Sequence, residues 1–127
     1  MAIRTELNLR LPNSPGALAG VCRVLSDNGV NILALSLETG GQLRLVVDNH
    51  VHAAGILGEL HHRVTAREVL LLAVSNAPGS LTAVLTLLAD AGINVDYAYG
   101  GGSDRGPSAT VIAGVADTMR AAAAAGV

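Results

Sequence analysis

Polar and apolar residues alternate from Arg4 to Leu11, with Leu7, Leu9 and Leu11 on one side and Glu6, Asn8 and Arg10 on the other, the period of a half-buried strand. The period then changes. After Pro15-Gly16, the residues Leu18, Val21, Cys22 and Leu25 recur at helical spacing, and Asn28-Gly29 supplies a glycine where a helix ends. Asn31 to Glu38 and Gln42 to Asp48 read as two strands around the turn Gly40-Gly41. Ala53, Ile56, Leu57 and Leu60 form the inner stripe of a second helix, and Val64 to Val69 closes the unit as a short strand. The predicted order is βαββαβ.

The pattern then starts again. Residues 13–31 and 76–94 align without a gap at an offset of 63, matching at Asn13/Asn76, Pro15/Pro78, Gly16/Gly79, Leu18/Leu81, Leu25/Leu88, Gly29/Gly92 and Asn31/Asn94. The second copy has strands at Val69 to Ser75, Asn94 to Tyr99 and Ser108 to Val115, helices at Pro78 to Ala91 and from Asp117, and a longer hairpin at residues 100–107. Its last helix runs up to Val127, so the last strand of this copy is expected to be lacking. These elements define an α+β chain of two ferredoxin-like βαββαβ units in tandem, residues 1–68 and 69–127, with antiparallel sheets. The incomplete sheet leaves an edge for the first unit or another chain to pair with. Asn8 and Arg10 correspond to Leu71 and Ala73, which predicts that the outer sheet face of the second copy is covered.

Composition narrows the function. Half of the 127 residues are hydrophobic, yet there are two Tyr and no Trp or Phe, so two thin aliphatic cores are expected to share surface or dimerise. The formal net charge of −2 gives no footprint for nucleic acid or an anionic membrane. All eight basic residues are Arg, which removes Schiff-base and phosphate-loop lysines. One cysteine, a polar N-terminal segment and no long apolar run point to the cytoplasm.

The repeated Pro-Gly carries the candidate chemistry. With proline at the first helical position, the amides of Gly16, Ala17 and Leu18, and of Gly79, Ser80 and Leu81, are expected to point outward without partners. The positive end of the helix dipole favours a carboxylate there by about 0.3–1 kcal/mol, and glycine lets it approach. Asn13 and Asn76 precede the turn, and Asn31 and Asn94 follow the helix. An amide side chain donates to a carboxylate and accepts from an ammonium, the two groups of an α-amino acid. Taken singly, each asparagine also fits a capping or turn role.

The pattern N-x-P-G-x-L, the helix ending D-x-G-[VI]-N and the βαββαβ order resemble the ACT domain, a regulatory amino-acid-binding module of amino-acid metabolism. The resemblance spans nearly the whole chain as two copies and implies a stand-alone tandem protein. It implies ligand contacts at Asn13, Ser14, Pro15, Gly16, Ala17, Leu18 and Asn31, and at Asn76, Ala77, Pro78, Gly79, Ser80, Leu81 and Asn94. Many family members carry Asp where this chain has Asn13 and Asn76.

Other features read as structural. Cys22 aligns with Leu85 and is expected to be a buried, inert thiol. His50, His52, His61 and His62 lack the partners of a metal site. The glycine-rich residues 100–106 join two strands without a lysine, unlike a phosphate loop. Tyr97 and Tyr99 read as packing residues, and paired cysteines or an aromatic, basic platform, which a metal chaperone or an RNA-binding sheet needs, are missing. The expectation is therefore a non-enzymatic regulatory protein, without cofactor or metal, that binds an amino acid or related carboxylate. A homodimer and a partner metabolic enzyme are its expected assemblies. The alternative is an interaction module with degenerate ligand sites that docks a partner enzyme.

Overall fold

The structure is a computed structural model and describes residues 2–127; Met1, where the first unit was expected to begin, lies outside the described residues. The elements are β1 (Ile3–Arg10), α1 (Ala17–Asp27), β2 (Ile32–Leu37), β3 (Gln42–Val47), α2 (His50–Glu59), β4 (Thr65–Ser75), α3 (Ser80–Asp90), β5 (Tyr97–Gly102), β6 (Ser108–Gly114) and α4 (Thr118–Ala125). The chain is α+β, two ferredoxin-like units in tandem. One compact unit is residues 5–67, and the other joins residues 68–127 with residues 2–4.

In the first unit β3 lies antiparallel between β1 and β2, with Leu45 opposite both Leu7 and Leu35. The alternation seen in the sequence sets one row, Leu7, Leu9, Leu43, Leu45 and Val47, against Val21 and Leu25 of α1 and Ala53, Ile56 and Leu57 of α2. Burying each large aliphatic side chain of this row contributes about 1.5–3 kcal/mol. The opposite face of these strands carries Asn8, Arg10, Gln42 and Arg44, and Val46 and Glu6 stand opposite each other there across the β1–β3 pair, both buried. Asn8 donates to Glu6 at 3.0 Å, which satisfies part of that carboxylate.

The second unit repeats the plan, with β6 antiparallel between β4 and β5 and Leu70, Leu72, Val111, Ala113 and Val115 packed on Val84 and Leu88 of α3 and Ala121, Ala122 and Ala125 of α4. No further strand follows α4 among the described residues, so the second unit lacks its last strand there. Residues 2–4 belong to this unit: the Ala2 carbonyl accepts from the Leu71 amide at 2.6 Å, and Ala2 and Ile3 pack on its core. On the outer face, Leu71 is half-buried while Ala73 stays exposed. Tyr97 and Tyr99 lie stacked there, ring centroids 6.4 Å apart, and Tyr97 covers Gly114 where any β-carbon would collide with it.

One expectation about the helices is corrected. α1 and α3 begin at Ala17 and Ser80, two residues after the prolines, because Gly16 (φ 84°, ψ −5°) and Gly79 (φ 84°, ψ −11°) are left-handed. Those angles are the third position of a type II turn, and the closing bonds are present: Ala17 N–H to Ser14 O at 3.3 Å and Ser80 N–H to Ala77 O at 3.2 Å. The proline and glycine thus form the turn that leads into the helix instead of its first residues.

Candidate functional site

The type II turn shapes the amides at the start of α1. Ala17 is engaged by Ser14, which corrects the expectation of three consecutive unpaired donors. The amides of Gly16, Leu18 and Ala19 donate to no described residue. A β-carbon at Gly16 would meet nothing within 4 Å, so the space before these amides is open. A cleft of about 440 Å³ occupies it, walled by residues 11–14, 16–19, 37–39 and Gly41. That volume falls in the range of small-molecule sites, about 300–1,000 Å³.

The cleft combines an apolar lining, Leu11, Leu18 and Leu37, with the polar groups of Asn13, Ser14, Thr39 and Glu38. Glu38 is ion-paired with Arg44 and remains half-exposed at the cleft. Backbone donors at one side suit a carboxylate, and the Glu38 carboxylate, shared with Arg44, adds an acceptor at another. The hairpin wall, residues 37–39 and Gly41, was missed by reasoning on the repeat alone. Its signal lay in the strand order: β1 and β3 are antiparallel neighbours, so the turn before β3 lies beside the end of β1. The Leu11 amide donates to the Gly41 carbonyl at 2.8 Å and fixes that junction.

Of the first-copy residues, Asn13, Ser14, Gly16, Ala17 and Leu18 line the cleft, with Pro15 in the turn between them. Asn31 stands at the far end of α1, separated by eleven helical residues, a rise of about 16 Å. Its amide donates to Asp48 Oδ1 at 3.0 Å, and it lines a shallower groove with Ala19, Cys22, Arg23, Ser26, Asp27, Val30 and Ile32. Cys22 is half-exposed on that groove, not buried as expected, because Val21 and Leu25 hold the inner face of α1 and Cys22 lies one step around it.

The second copy is built differently around the same turn. Both Asn76 Nδ2 hydrogens are engaged, one by the Ser103 carbonyl and one by the Gly106 carbonyl at 2.9 Å, and the Asn76 amide donates to Pro107 O at 3.1 Å. Ser75 and Ser80 hydroxyls pair at 2.7 Å across the turn formed by Ala77, Pro78 and Gly79. Leu81 sits one residue into α3, exposed. Asn94 donates to Asp96 Oδ1 at 3.1 Å and lines a small cleft with Gly92, Ile93, Asp117 and Arg120, at the other end of α3. Among the described residues no three His, Cys, Asp or Glu side chains come together as metal ligands, and no helix is long and apolar enough to cross a membrane.

The chain belongs to the ACT domain family, whose model matches twice, at residues 5–61 and 69–125. Comparison with curated proteins gave no match. Among solved structures, a protein from Bacteroides thetaiotaomicron is similar at 25% identity and a TM-score of 0.87, over 97% of this chain and 86% of that one. The ligand-free regulatory subunit of aspartate kinase from Thermus thermophilus shares the fold at 17% identity and a TM-score of 0.73, over 99% and 91%. So does E. coli aspartokinase III in complex with lysine and aspartate, at 21% identity and a TM-score of 0.61, over 94% of this chain and 29% of that one.

Proposed function

We propose that the chain is a regulatory protein that senses an amino acid, or a closely related carboxylate, at the first Pro-Gly turn. The observation that carries this reading is the open cleft of about 440 Å³ facing the amides of Gly16, Leu18 and Ala19 in a member of the ACT family. The ligand carboxylate accepts from those amides and from Asn13, its ammonium faces Glu38, and its side chain lies along Leu11, Leu18 and Leu37. The fold shared with the Thermus thermophilus regulatory subunit supports a role beside a separate catalytic chain, a metabolic enzyme of the cytoplasm. The aspartokinase III complex with lysine and aspartate supports the choice of ligand class.

A homodimer completes this reading. On the edge strand β2, Leu33, Leu35 and Leu37 are 49%, 39% and 44% exposed, an apolar row on a strand free along one side. Pairing of two β2 edges covers that row and closes the cleft at Leu37, so ligand and assembly are linked and occupancy favours the paired state. The same row gives the second reading, an interaction module, its best support. An NMR titration with the twenty standard amino acids separates the two. Shifts confined to residues 11–19 and 37–41 are expected for one of them, and shifts for none would leave only the interaction module.

A further inference from the structure

The two copies share the turn but not the hairpin beside it. Leu45 stands opposite Leu7, and Ala113 stands opposite the equivalent Leu70, so the offset between copies grows from 63 to 68 across the hairpin. The five extra residues of the second copy fold back on Asn76. Their carbonyl oxygens at Ser103 and Gly106 take both hydrogens of its side-chain amide, while Pro107 takes its backbone hydrogen. Ser103 Oγ accepts from the Gly106 amide at 2.8 Å and holds the loop in that shape. Gly102 is pressed so closely to the side chain that a β-carbon there would lie 2.5 Å from Asn76 Oδ1. Asn13, the counterpart in the first copy, faces the open cleft beside the short turn Gly40-Gly41.

We infer that the hairpin at residues 100–107 is a built-in occupant of Asn76, its carbonyl oxygens taking the side-chain donors that a ligand's carboxylate would use while the space before Gly79 stays open, so that each chain binds one amino acid and not two. This inference rests on the proposed sensor reading for the identity of the ligand and on hydrogen bonds alone for the occupancy. An asparagine has two side-chain donors, and with both engaged Asn76 has none to offer a carboxylate. The Ser75–Ser80 hydroxyl pair reinforces the closure, since the equivalent Pro12 and Ala17 have no hydroxyls to form it. The protein therefore carries one sensing copy and one copy whose asparagine is engaged by its own loop whatever the ligand concentration.

Deleting residues 103–107 gives the second hairpin the length of the first. Calorimetric titration of the full chain with the twenty standard amino acids is expected to give one site per chain, and the deletion variant two, a doubling of stoichiometry. Two sites in the intact chain, or one in a deletion variant that circular dichroism shows to be folded, would overturn the inference. If no amino acid binds either form, the sensor reading fails, and the hairpin is judged separately, as it is if the variant does not fold. The measurement is then hydrogen exchange of the asparagine side chains in the intact protein by NMR. The Asn76 Nδ2 hydrogens are expected to exchange at least about tenfold more slowly than those of Asn13, and equal rates refute the occupancy.

Discussion

Leu11 and Gly41 meet backbone to backbone: the Leu11 amide donates to the Gly41 carbonyl at 2.8 Å, and any β-carbon on Gly41 would collide with the Leu11 carbonyl oxygen. Gly41 also has φ 89°, so an alanine there suffers both the collision and an unfavourable backbone. Gly41→Ala is expected to cost about 2–3 kcal/mol, read as a lower urea midpoint, and to abolish ligand binding by forcing the two cleft walls apart. An unchanged midpoint would mean that this junction is not the rigid corner described.

The helix ends offer a sharper test of local strain. α1, α3 and α4 each end in the same double hydrogen bond with a left-handed glycine, Gly29, Gly92 and Gly126, at the turn. α2 makes the same pair of bonds, His61 N–H to Gly58 O at 3.0 Å and His62 N–H to Leu57 O at 3.1 Å, but the left-handed residue is His61, φ 67°. His61→Gly is expected to stabilise the protein by about 1 kcal/mol and Gly29→Ala to destabilise it by a similar amount. Both are read from urea titrations at constant slope, and a destabilised His61→Gly variant would show that its imidazole does more than occupy the turn.

Glu38 is the residue that separates an amino acid from a plain carboxylate. If it faces the ammonium, Glu38→Gln weakens binding of the amino acid about tenfold, the loss of one charge-assisted hydrogen bond. The matching 2-hydroxy acid is expected to bind wild type and variant alike in calorimetry. Equal losses for both ligands would place the ammonium elsewhere.

Much of this architecture was legible because it is local. The alternation in Arg4 to Leu11, the helical spacing of Val21 and Leu25 and the glycines Gly29 and Gly92 each reflect a periodicity or a backbone angle that a single residue type satisfies. The turn at Pro15-Gly16 was legible as a special position but not as a turn, since proline fits both the first residue of a helix and the second of a type II turn. The site was legible only where it is contiguous. Glu38 and Thr39 reach the cleft through strand pairing, and Asn31 leaves it because a helix separates its own ends. The capture of Asn76 by Ser103 and Gly106 depends on how a five-residue extension folds, which no periodicity encodes. Residues 2–4 joining the second unit is likewise a matter of tertiary pairing.

The β2 edge tests the proposed assembly. Leu35→Lys puts a charge in the middle of the exposed leucine row, which edge strands use to block pairing. Light scattering is expected to give twice the chain mass of 12.8 kDa for the wild type and 12.8 kDa for the variant. A wild-type monomer that still binds ligand tightly would remove the dimer from the account.

The most direct measurement is calorimetry of the intact protein against the twenty standard amino acids, repeated with Gly16→Val, whose side chain enters the space before the free amides and whose φ of 84° is unsuited to valine. A saturable heat with one amino acid, lost in a Gly16→Val protein that still melts cooperatively, is the predicted result. Binding that survives this substitution unchanged, or no binding by any amino acid, contradicts a sensor built on the first Pro-Gly turn.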